Sequence, residues 1–99
     1  MLDALGDPTR RTVFELLAAG PRSVAEIAAD LPISRPAVSQ HLKVLKDAAL
    51  VSATAVGTRR VYALDPQGLA AVRDYFDTFW QQSLAAFKDA VENPPEEEP

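Results

Sequence analysis

Residues Ser23–Lys46, SVAEIAADLPISRPAVSQHLKVLK, decide the fold. Ser23-Val24-Ala25-Glu26 has the spacing of a capping box, in which a serine and a glutamate three residues on satisfy each other's backbone N–H groups. It predicts a helix from Val24 to about Asp30, stopped at Leu31-Pro32-Ile33. Ser34 caps the next helix, predicted from Arg35 to about Ala48. Two helices of about two and four turns, joined by a tight turn, form a helix-turn-helix.

At about 100° per residue the second of these helices divides into two faces. Val38, Leu42 and Leu45 centre an apolar face, flanked by Ala37, His41, Val44 and Ala48. Arg35, Pro36, Ser39, Gln40, Lys43, Lys46 and Asp47 share an arc of about 140° on the other face. Small hydrogen-bonding groups flanked by cations suit a DNA major groove, where Arg, Gln and Ser read base edges and Lys43 and Lys46 neutralise phosphates. The N-terminal residues of such a helix enter deepest, which favours Arg35, Pro36, Ser39 and Gln40. His41 falls on the packed side and is expected to be a neutral, hydrogen-bonded packing residue.

Outward from this core, Asp7-Pro8 is an N-cap and N1 pair that starts a helix carrying Val13, Leu16 and Leu17, ending at Gly20-Pro21. Met1, Leu2 and Leu5 form an apolar stripe ahead of it, read as a first helix of about one turn. Downstream, Leu50–Ala55 and Arg59–Leu64 are β-prone and flank Val56-Gly57-Thr58, a hairpin that would present Thr58, Arg59 and Arg60 to phosphates or a minor groove. Tyr62 is expected to be partly structural. Asp65-Pro66 starts the last helix, which runs to about Glu92. The tail 93–99, NPPEEEP, is expected to be disordered and acidic. The architecture is mainly α with a small β-hairpin: a winged helix-turn-helix of five helices, the fourth being the recognition helix, in one domain over residues 1–92.

Composition bounds the function. Ninety-nine residues make one small domain, for which further burial by self-association is an advantage. With no cysteine and a single histidine, thiolate zinc sites, iron–sulfur clusters, cysteine nucleophiles and a multi-histidine metal site within one chain are excluded. The serines Ser23, Ser34 and Ser39 serve better as caps or groove contacts than as nucleophiles, so no enzyme is expected. No apolar run reaches the roughly 18 residues of a membrane span, and the N-terminus lacks a signal-peptide pattern, so a soluble, cytoplasmic protein without membrane partners is expected. The net charge is −4, which taken whole argues against DNA binding. Its distribution does not: residues 34–60 carry five Lys/Arg against Asp47, whereas the rest of the chain is acidic.

The residues ALGDPTR ending at Arg10, SRPAVSQHLKVL from Ser34 to Leu45, Ala49-Leu50-Val51, and the Gly57 to Tyr62-Ala63-Leu64 hairpin together resemble the ArsR-type winged-helix repressors, over essentially residues 1–92. The resemblance implies a homodimeric transcription regulator, usually a repressor and in some cases autoregulatory, on a pseudo-palindromic operator. Its groove-contacting positions fall on Arg35, Pro36, Ser39 and Gln40, with Arg59 and Arg60 as wing contacts. The metal-ligand positions of metal-sensing relatives fall on Pro66, Gly68, Phe79 and Gln82. Of these only Gln82 could ligate a metal, and weakly, so the resemblance is to a metal-independent branch and no cofactor is implied.

Five of the seven aromatic residues, Tyr75, Phe76, Phe79, Trp80 and Phe87, lie close together in the last helix. More apolar surface than one protomer can cover marks an interface. Met1, Leu2, Leu5, Phe76, Phe79, Trp80 and Phe87 are therefore expected at a dimer contact that sets two recognition helices about one DNA turn, ~34–36 Å, apart. The same aromatics could instead line a pocket for a small apolar effector. A winged-helix module that binds protein rather than DNA is the remaining alternative, and would want an acidic or apolar recognition face.

Overall fold

A computed structural model of the chain describes residues 3–94. A 3-10 turn, Asp3–Leu5, precedes α1 (Pro8–Leu17), β1 (Arg22–Ser23), α2 (Val24–Asp30), α3 (Arg35–Asp47), β2 (Val51–Val56), β3 (Arg59–Leu64) and α4 (Pro66–Glu92). The class is that of a winged helix-turn-helix, with two corrections. The first of the five expected helices is a single 3-10 turn, leaving four α-helices, so the recognition helix is α3. Three residues offer too few hydrogen bonds to nucleate an α-helix. This turn is tied down by α1, where Arg10 Nη1 donates to the Ala4 carbonyl and Arg11 Nε to that of Leu5. The wing also has a third strand: β1 pairs antiparallel with β3, giving the order β1-β3-β2. Two residues carry no periodicity, which is why β1 is invisible in the sequence.

Each helix starts where its side chains dictate. Asp7 accepts from the Arg10 N–H at 3.0 Å and Ser34 from the Ala37 N–H at 3.3 Å. Asp65 accepts from the Gln67 N–H at 2.9 Å. Both halves of the Ser23–Glu26 capping box are present. The hairpin turn is Gly57-Thr58, with Val56 paired to Arg59 and Gly57 at φ +63°. A glycine at the first central position matches the twist that hairpins require.

Val13, Ile27, Val38, Leu42, Leu45 and Leu50 are completely buried, and Leu17, Val51 and Tyr62 nearly so. Burying each such aliphatic side chain contributes about 1.5–3 kcal/mol. α3 ends in a left-handed residue, Ala49 at φ 60°, whose N–H bonds the Lys46 carbonyl while that of Leu50 bonds Leu45. This pair of bonds turns the chain sharply from α3 into the wing. On the far side of the wing the first turn of α4 lies against the same corner. Gly68 is buried there, and a Cβ on it would stand 1.9 Å from the Ala49 carbonyl oxygen.

Beyond Val72, α4 leaves the body: every residue from Arg73 to Glu92 is exposed. That stretch spans about 30 Å of helix and accounts for an elongated outline of 69 × 26 × 21 Å. The expected disorder of the tail falls mostly on residues 95–99, outside the described residues.

Candidate nucleic-acid interface

The centres of the α3 faces lie as the helical wheel places them, but Val44, at the margin of the apolar face, is exposed because no element packs over that edge. Val38, Leu42 and Leu45 are fully buried, whereas Arg35, Pro36, Ser39, Gln40, Lys43, Lys46 and Asp47 are all exposed. Pro36 falls in the first turn, where its missing N–H breaks no helical bond. His41 departs from expectation. It is half-buried on the packed side, but its Nδ1 is enclosed without a hydrogen-bond partner among the described residues. The nearby carboxylate, Asp7, is committed to the α1 N-cap. The Arg10 N–H, more than any other group, holds the Asp7 carboxyl below its ordinary value, with smaller contributions from the Thr9 N–H and from the charges of His41 and Arg10.

The recognition helix and the wing form one cleft. Ser39, Lys43, Lys46 and Asp47 of α3 face Arg60 and Tyr62 of β3 across an opening of about 440 Å³. Three cations and one carboxylate line it, with a hydroxyl from each element. Tyr62, 8 % exposed, lines this cleft as well as the core, in keeping with the partly structural part expected of it. Alternation along β3 is the signal that puts it on the same face as Arg60, two residues away.

The two wing arginines part company. Both border a depression over Ser23 and Glu26, but Arg60 also joins the cleft, whereas Arg59 ion-pairs with Glu26 in α2. The same Glu26 Oε1 accepts from the Ser23 N–H at 3.3 Å and the Ser23 hydroxyl at 3.0 Å. The Ser23 hydroxyl foremost, then the Ser23 N–H and the Arg59 and Arg22 charges, keep the Glu26 carboxyl below its ordinary value. Thr58 sits exposed at the turn. Sequence reasoning did not find Glu26 as a neighbour of the wing, because the two are brought together only by β1 pairing with β3.

On α4, Phe76, Phe79, Trp80 and Phe87 are each more than half exposed, and Tyr75, Leu84 and Val91 extend the same apolar half of the helix. Leu5 is half-buried and packs on the core from the 3-10 turn. Met1 and Leu2 lie outside the described residues. A shallow depression along α4 is lined by Ala71, Asp74, Tyr75, Thr78, Phe79 and Gln82, all from this one helix. It lacks the second wall that a small-molecule pocket needs. No helix of the described residues is long and apolar enough to cross a membrane. Among them, no three His, Asp or Glu side chains cluster as metal ligands.

Residues 7–53 match the family described as bacterial regulatory protein, arsR family. The HTH-type transcriptional regulator Rv2034 of Mycobacterium tuberculosis is 57% identical over 90 residues, which are 91% of this chain and 84% of that protein. Among solved structures, a possible transcriptional regulator for arsenical resistance superposes with a TM-score of 0.74 at 44% identity, covering 96% of both chains. The homodimeric winged helix-turn-helix DNA-binding domain Mb0332 of Mycobacterium bovis gives 0.65 at 25% identity, covering 97% of this chain and 82% of that one.

Proposed function

Because this chain belongs to the arsR family of bacterial regulatory proteins, a family of DNA-binding transcription regulators rather than enzymes, we propose that it is a homodimeric, metal-independent repressor. Residues 1–92 form its DNA-binding and dimerisation domain, and α3 enters the major groove of a pseudo-palindromic operator. The observation that carries the reading is the cationic cleft in which Ser39, Lys43 and Lys46 of α3 meet Arg60 of the wing. Arg35, Pro36, Ser39 and Gln40 read bases, Pro36 through apolar contact alone. Lys43, Lys46 and Arg60 neutralise phosphates, the Thr58 hydroxyl at the wing tip donates a hydrogen bond to one, and Arg59 reaches one only when its pair with Glu26 opens.

The dimer is supported by the exposed aromatic face of α4 and by the homodimeric relative. Phe76, Phe79, Trp80 and Phe87 are its centre, with Leu5 and the N-terminal Met1 and Leu2 at its edge. Metal independence is supported by the donor set. Arsenite and soft metals want thiolates, and the chain has no cysteine. We take the direction of regulation to be repression, including control of its own promoter, through an operator that overlaps the polymerase site.

Selection of bound fragments from the source genome with purified protein tests this reading. The expected result is a recurring inverted repeat bound by two protomers, with affinity that falls steeply with salt. Recovery of no common sequence, or zinc-dependent binding, overturns it.

A further inference from the structure

We propose that Glu26 sets the protein's background affinity for DNA by withholding Arg59 from phosphates. The inference rests on the DNA-binding reading and deepens it. Glu26 belongs to α2, not to the recognition helix or the wing, yet its Oε1 holds the Arg59 guanidinium as well as the Ser23 N–H and hydroxyl. Ser23 is itself paired to Val61 of β3, so the carboxylate is anchored at a fixed place beside the wing. Arg59 and Arg60 are neighbours on one strand, but only Arg60 faces the cleft shared with Ser39, Lys43 and Lys46. The wing thus presents one committed cation and one neutralised one.

Both members of the Glu26–Arg59 pair are more than half exposed. An exposed ion pair is weak enough for DNA to break, yet biases its partner by about two- to fivefold. A phosphate must displace the carboxylate to reach Arg59 and then sits close to a free negative charge. On random DNA the protein therefore releases one counterion fewer than its basic residues allow.

The test measures binding to a fluorescein-labelled random-sequence duplex across a salt series. Glu26→Gln removes the charge and keeps the capping box, since glutamine also serves at that position. The expected outcome is about three- to tenfold tighter binding at 0.1 M salt, with a log–log salt slope steeper by about 0.9. In an Arg59→Ala background the same change is expected to shift affinity less than twofold. Glu15→Gln on α1, which alters net charge equally, is expected to do as little. An equal gain with and without Arg59, or a gain matched by Glu15→Gln, overturns the proposal in favour of net charge alone. No gain from Glu26→Gln overturns it outright. A second comparison leaves α2 untouched: Arg59→Ala is expected to cost less than twofold and Arg60→Ala more than fivefold, and equal losses refute the inference. Failure of the unaltered protein to bind any duplex would instead remove the DNA-binding reading beneath it.

Discussion

Gly68→Ala is a one-methyl change whose cost the structure sets. The new Cβ would lie 1.9 Å from the Ala49 carbonyl oxygen and 2.8 Å from its carbon, where Cβ contacts essentially never fall below 3.0 Å. The first turn of α4 must retreat by about 1.1 Å to reach that limit, because the atoms it meets are backbone and cannot rotate aside. The 2.9 Å hydrogen bond from the Asp65 N–H to the Leu50 carbonyl spans the same corner and is stretched by that movement. Strain of about 1–3 kcal/mol and about 1 kcal/mol for the hydrogen bond are offset by at most ~1 kcal/mol of helix propensity. The net destabilisation is about 2 kcal/mol, or a fall in melting temperature of roughly 8–16 °C for a domain of this size. Thermal unfolding followed by far-ultraviolet circular dichroism, at one fixed protein concentration, measures it. The change also swings α4, so operator binding is expected to fall more than random-DNA binding if α4 sets the spacing of the two recognition helices. An unchanged or raised melting temperature would refute the reasoning, showing that the Ala49–Leu50 corner yields freely and does not position α4.

Ala49→Gly is expected to stabilise by about 0.5 kcal/mol, since relief of a left-handed alanine, ~1–2 kcal/mol, outweighs glycine's extra chain entropy; a higher urea midpoint at constant m-value checks it. Ser39→Ala with Gln40→Ala is expected to weaken the selected operator fragment at least tenfold while leaving random duplex within twofold, whereas Arg60→Ala weakens both and flattens the salt slope by about 0.9. Phe87→Asp is expected to yield a monomer in sedimentation equilibrium and to abolish concentration-dependent emission changes of Trp80, the chain's single tryptophan. The carboxyls of Asp7 and Glu26 both titrate lower in the folded chain than their ordinary values. Each therefore adds stability that is complete above the unfolded value and lost as pH falls through the folded one. The melting temperature is expected to drop as pH falls below about 5, and Asp7→Asn, which keeps a cap, is expected to flatten that drop.

The elements legible in the amino acids are those specified by near neighbours. Asp7, Ser23, Ser34 and Asp65 start their helices through bonds to backbone groups two or three residues ahead. The faces of α3 follow from its period, and the hairpin from Gly57. Each of these outcomes depends on groups within one turn of chain, so a linear reading captures it. Other features depend on groups far apart in sequence that only chain folding brings together. β1 exists because β3 passes beside it. Gly68 is required because Ala49 occupies the space its side chain would need. Arg59 meets Glu26, thirty-three positions away, and Arg60 reaches the cleft beside α3, because the packing of α2 and α3 around the wing decides which groups stand beside each. The acidic whole and its basic interface follow the same division: residue order concentrates the cations between 34 and 60, and the fold determines which of them remain free to meet a phosphate.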